Sequence, residues 1–106
     1  MIIDLKTEWK KGTVTREDGE IIRKLLLANW NITDRFQINF NNLEVASVSF
    51  IDEAFGQLAF QYSKDELKRK LKFKNIVDYD KSLLNDILIS RYRQKEKGQN
   101  GASINA

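Results

Sequence analysis

Two hydroxyls and two carboxylates crowd one short stretch of the chain: Ser47, Ser49, Asp52 and Glu53. Ser49-Phe50-Ile51-Asp52 has the spacing of a capping box, in which a hydroxyl accepts a backbone N–H at a helix start and an acid three residues on reaches back. The free N–H groups and dipole of a helix start favour negative charge. Such a place suits a phosphate on Ser47 or Ser49, or a carboxylate fixed there by the sequence. Adjacent helical residues point about 100° apart, so Asp52 and Glu53 are not expected to converge on a metal ion or share a proton. Arg16, inside Thr15-Arg16-Glu17-Asp18-Gly19, reads as part of a helix start or as a guanidinium for a partner's carboxylate or phosphate. The densest basic run is Lys68-Arg69-Lys70 with Lys72 and Lys74. It reads as a solvated face or, with Phe73 or Tyr79, as a stripe for nucleic acid.

The missing residue types narrow the chemistry. There is no cysteine and no histidine, so disulfides, thiolate nucleophiles, serine triads and Cys/His zinc sites are excluded. Gly12, Gly19 and Gly56 are isolated, so no glycine-rich phosphate loop exists. No convergent catalytic set can be drawn from what remains. The expectation is a protein that is not an enzyme and needs no cofactor and no metal.

The chain has 106 residues, 42% hydrophobic and 31% charged, which is enough for one core and argues against wholesale disorder. The net charge of +3 is uneven. Residues 1–63 carry seven basic and nine acidic side chains, and residues 64–106 carry eleven and six. An anionic partner would therefore dock on the second half. Met1 to Leu5 is too short for an export leader and lacks a basic one, and no apolar run approaches the ~20 residues of a membrane span. A cytoplasmic protein without membrane contact is expected.

These residues need elements to position them. Ile2 to Leu5 reads as a strand, and residues 6–14 as a turn or weak hairpin containing Trp9. Thr15 with Asp18 reads as a capping box opening a helix whose apolar face is Ile21, Ile22, Leu25 and Leu26. Gly19 costs about 1 kcal/mol in such a helix, which implies close packing there. Phe36 to Asn41 alternates as a half-buried strand does, and Asn41-Asn42 ends it. Leu43 to Val48 is a loop or a continuation of that strand. Ser49 then caps a helix from Phe50 to about Tyr62, with Phe50, Phe55, Phe60 and Tyr62 in the core. Ser63 opens a short basic helix through Lys70, Leu71 to Ile76 is a strand, and Asp78 or Asp80 caps a last helix that fades near Lys97. Residues 1–97 form the domain, and residues 98–106 are read as a disordered tail.

This order, with Val45-Ala46-Ser47-Val48-Ser49-Phe50-Ile51-Asp52-Glu53-Ala54-Phe55-Gly56 at its centre, resembles the STAS domain of anti-sigma-factor antagonists and sulfate-transporter tails. The pattern is most similar to STAS-like domains of unknown function in bacteria, archaea and phages, over roughly residues 12–93. Thr15 to Gly19 and Arg91 near the end of the last helix also fit. The resemblance implies an α/β fold, a single domain with about four strands in a mixed sheet packed by helices. It also implies regulatory protein–protein binding, by partner switching or scaffolding with a kinase-like or anti-sigma-like ATP-binding protein. In the antagonists a phosphorylatable Ser follows the Asp. Here Glu53 and then Ala54 stand there, so a fixed docking surface is expected in place of a phospho-switch.

The partner-binding residues expected are Ser47, Ser49, Asp52, Glu53 and Arg16. The alternative is a nucleic-acid-associated accessory protein of a phage or defence system, acting through Lys68, Arg69, Lys70, Lys72 and Lys74. Homodimerisation is compatible with either reading.

Overall fold

The computed structural model describes residues 1–5 and 14–105, with side chains as far as Gly98. The elements run β1 (Ile2–Asp4), α1 (Arg16–Asn29), β2 (Phe36–Asn39), α2 (Val48–Ala54), a 3₁₀ turn (Gly56–Phe60), α3 (Lys64–Lys70), β3 (Leu71–Lys74) and α4 (Asp78–Asn105). The hairpin reading of residues 6–14, and Trp9 with it, falls almost wholly outside the described residues.

The described sheet has three strands in the order β1-β2-β3, and both pairings are parallel. About four strands in a mixed sheet were expected. Every strand here is followed by a crossover before the next one, and such connections give parallel neighbours. The β2 strand does not extend beyond Asn41, because Asn41 and Asn42 take φ values of 55° and 59° and turn the chain away. Asparagine tolerates this left-handed region better than most residues.

Strand alternation sorts the sheet into two faces. Ile3, Ile38 and Phe73 lie in register on one face, as do Phe36 and Leu71. All of these are buried except Phe73, which is half-buried. Lys72 and Lys74 lie on the other face with Gln37 and Asn39. The helices complete the core with Ile22, Leu26, Phe50, Phe55, Leu58 and Leu84. Trp30 is buried and stacks between Phe36 and Tyr62, at centroid distances of 5.6 and 4.4 Å. Phe60 is exposed, and it lies under the Arg91 guanidinium. In α1 the buried apolar side chains are Ile22 and Leu26, while Ile21 faces solvent.

The capping box at Thr15 is present, and each partner satisfies a backbone N–H of the other. Gly19 sits where α1 crosses α2: a Cβ there would lie 2.6 Å from the Phe50 carbonyl oxygen and 3.0 Å from Glu53 Cβ. That contact explains a glycine inside a helix.

Two helix boundaries differ from expectation. The single helix from Phe50 to Tyr62 is broken at Phe55 into α2 and the 3₁₀ turn. Gly56 there packs against the Asp52 carboxylate and Ile87, a fit that any side chain would obstruct. The last helix does not fade near Lys97 but runs on to Asn105. The stretch after Lys97 holds no proline, so nothing removes a backbone donor and forces a stop.

Candidate functional site

The segment from Leu43 to Glu53 is built by contacts to three other parts of the chain. Asp80 is fully buried, and its carboxylate accepts the Val45 N–H at 2.6 Å and the Ala46 N–H at 2.8 Å. This is a correction to its reading as a helix cap: it reaches across the fold to hold the loop. Ala46 takes a φ of 48°, a strained value for a residue with a side chain. The paired amides on Asp80 hold it there. With the loop fixed, α2 starts at Val48, and Ser47 Oγ accepts the Phe50 N–H at 3.2 Å. Ser47 is thus the cap, in place of Ser49, which lies half-buried in the first turn.

Asp52 and Glu53 point to different helices, as the helical step requires. Asp52 is 6% exposed. Its two oxygens receive Arg91 Nε at 2.7 Å and Nη2 at 2.6 Å, a fork that ties α2 to α4. Gln57 adds a third donor at 3.3 Å. Asp52 in turn raises the Arg91 pKa.

Glu53 faces α1. Arg23 Nη1 donates to Oε2 at 2.6 Å and also to the Glu53 backbone carbonyl at 2.8 Å, while Arg16 Nη1 donates to Oε1 at 2.6 Å. The Arg23 and Arg16 guanidiniums together hold the carboxyl below its ordinary range. Arg16 is therefore beside Glu53, and its side chain is 55% exposed. Arg23 went unnoticed in the sequence. Its position seven residues after Arg16, two helical turns along one face, was the available signal.

The result is a helix start whose acids Asp52 and Glu53 are already paired. What the segment turns outward includes two apolar side chains, Val48 at 57% and Leu43 at 39% exposure, beside the exposed Glu44. These two also escaped notice, since single apolar residues in a loop carry no periodicity.

The basic run is divided. Lys68, Arg69, Lys72 and Lys74 are exposed. Lys70 is buried, and its Nζ donates to the carbonyls of Trp30 and Thr33 while lying 5.2 Å from the Trp30 ring centroid. It is a core lysine, and the structure removes it from any docking stripe.

A family model for the STAS-like domain of unknown function matches residues 18–81. The chain is a STAS-like domain. The match begins inside the first capping box and ends one residue after Asp80, so it takes in the loop, α2 and the Arg23 half of the clamp on Glu53, while Arg16 lies before it. Arg91, which the resemblance had included, lies beyond it. No curated protein and no solved structure matches this STAS-like domain. None of its helices, among the described residues, is long and apolar enough to cross a membrane.

Proposed function

We propose that this STAS-like domain is a non-enzymatic regulatory module that binds a protein partner through the face around the start of α2. The observation that carries this reading is the loop held by Asp80. A buried carboxylate and a strained Ala46 are spent on fixing a segment that exposes Leu43 and Val48 beside Glu44. Preorganised apolar residues beside charged ones are what an interface uses, because less ordering entropy is lost on binding.

The roles within the face are divided by burial. Val48, Leu43, Ser49 and the exposed part of Arg16 meet the partner. Ser47 caps the helix, and Asp52 with Glu53 fixes its angle. Glu53 stands where the antagonists carry their phosphorylatable Ser, and its charge is already met by two arginines. Binding here is constitutive, and the partner class that the family suggests is an ATP-binding kinase-like or anti-sigma-like protein.

The test is a nuclease-treated pull-down from host lysate with the tagged chain. Val48→Asp and Arg16→Ala are compared with Ile32→Asp, an exposed position in the turn beyond the C-terminal end of α1. A partner lost with the first two and kept with the third supports the proposal. A partner retained by all three overturns it, and one lost on nuclease treatment points instead to nucleic acid.

A further inference from the structure

The β3 strand is an edge of the described sheet, and a trough runs along that edge. Its larger part, about 430 Å³, lies between α3, β3 and α4. A second part of about 260 Å³ continues it, sharing Leu71, Phe73, Leu84 and Asn85. The floor is apolar: Leu67, Leu71, Phe73, Leu84 and Leu88. Every charged side chain lining it, among the described residues, is a lysine: Lys64, Lys68, Lys72, Lys74 and Lys81. All five are exposed, and no ion pair is found for any of them among the described residues.

The strand itself adds a backbone edge. The Lys74 carbonyl accepts the Phe40 N–H, on the β2 side. Peptide groups alternate in a parallel strand, so those of Phe73 face away from β2. An edge of this kind is a template for an added strand.

We infer that the β3 edge of this domain is a docking groove for an extended acidic segment of another protein, in which apolar and acidic residues alternate. An added strand places successive side chains on opposite sides. Its apolar side chains would enter the trough beside Leu71 and Phe73, and its acids would meet Lys72 and Lys74 on the other face. Main-chain bonds to Phe73 supply affinity, and the pockets and charges supply selectivity. A second copy of this chain is a poor occupant, because it would bring its own lysines against these. Nucleic acid fits less well, because leucines dominate the floor and its two aromatics, Phe73 and Tyr92, are part-buried, whereas stacking needs open aromatic faces.

The groove is distinct from the α2 face, so it stands or falls independently of that proposal. The experiment uses the full chain, ¹⁵N-labelled, and a fluorescein-tagged peptide of about ten residues alternating Glu and Val, long enough to run past β3 at both ends. Anisotropy should show saturable binding, with the amides of Phe73 and its neighbours shifting in the NMR spectrum. A peptide alternating Lys and Val should not bind. The double variant Lys72→Glu/Lys74→Glu, whose side chains are exposed, should keep its circular dichroism spectrum and bind about tenfold more weakly or worse, as expected for reversing complementary charge. Asn85→Trp, which fills the trough from its rim, should also abolish binding. Three results overturn the inference: no saturable binding, shifts elsewhere than β3, or displacement of the peptide by an equimolar oligonucleotide of the same charge.

Discussion

The start of α2 and the edge of β3 treat charge in opposite ways. At α2 the acids Asp52 and Glu53 are matched by Arg91, Arg23 and Arg16 at 2.6–2.7 Å, and what the face leaves over includes the apolar Leu43 and Val48. At β3 the apolar residues line a recess, and what is left over is five lysines. The lesson is that a charge in a motif and a charge available to a partner are different things. The carboxylates at α2 hold helices together, while the lysines along β3 make no ion pair among the described residues and stay exposed.

The comparison breaks most severely at Gly19. A methyl group there would meet the Phe50 carbonyl oxygen, which is backbone and cannot swing aside. Gly19→Ala should destabilise the domain by about 3 kcal/mol, because overpacking outweighs the roughly 1 kcal/mol of helix propensity that alanine adds. Urea denaturation reads the loss. Amide shifts should spread through α1 and α2 and spare β3, and shifts reaching Lys72 would mean that the two regions are not separate.

A smaller effect separates lysines within one run. Lys70→Ala leaves the carbonyls of Trp30 and Thr33 without their charged donor, at a cost of about 2 kcal/mol. Lys72→Ala removes an exposed side chain and should change stability by less than about 0.5 kcal/mol. Equal effects in thermal or urea unfolding would erase the distinction between a spent charge and an available one.

Those lysines also show what the sequence makes legible. Alternation in Leu71-Lys72-Phe73-Lys74 placed Lys72 and Lys74 on the outer face correctly, because strand period is local. The caps at Thr15 and Ser63 were equally readable, because their partners are three residues apart. Lys70, Asp80 and Arg91 were not, since their partners lie 34–40 residues away and no spacing rule links them. Asp80 then explains a nearer miss. Ser47 and Ser49 both have capping chemistry, and the choice between them was made by where Asp80 anchors Val45 and Ala46. The close packing at Gly19 could be inferred from its cost in a helix, but the identity of its neighbour could not.

The smallest effect concerns Glu53, and pH isolates it. Its carboxyl is held below the ordinary value of 4.5, by Arg23 first and then by Arg16. A carboxyl lowered by folding contributes stability that is fully present above its unfolded pKa and is lost as pH falls through the folded one. Glu53→Gln keeps the shape and removes the charge. Near neutral pH the variant should be less stable by about 1 kcal/mol, a modest figure because Arg16 is more than half exposed and such pairs are screened. The gap should shrink below pH 4.5 and close at strongly acidic pH, where wild-type Glu53 is also neutral. It should also narrow in concentrated salt. The Arg91 fork on Asp52 stays in both proteins, so any remaining acid sensitivity of the variant reports the other carboxylates. A gap that stays constant with pH would mean that Glu53 acts through its packing alone, and that the balance of acid against arginine at α2 is a matter of geometry and not of charge.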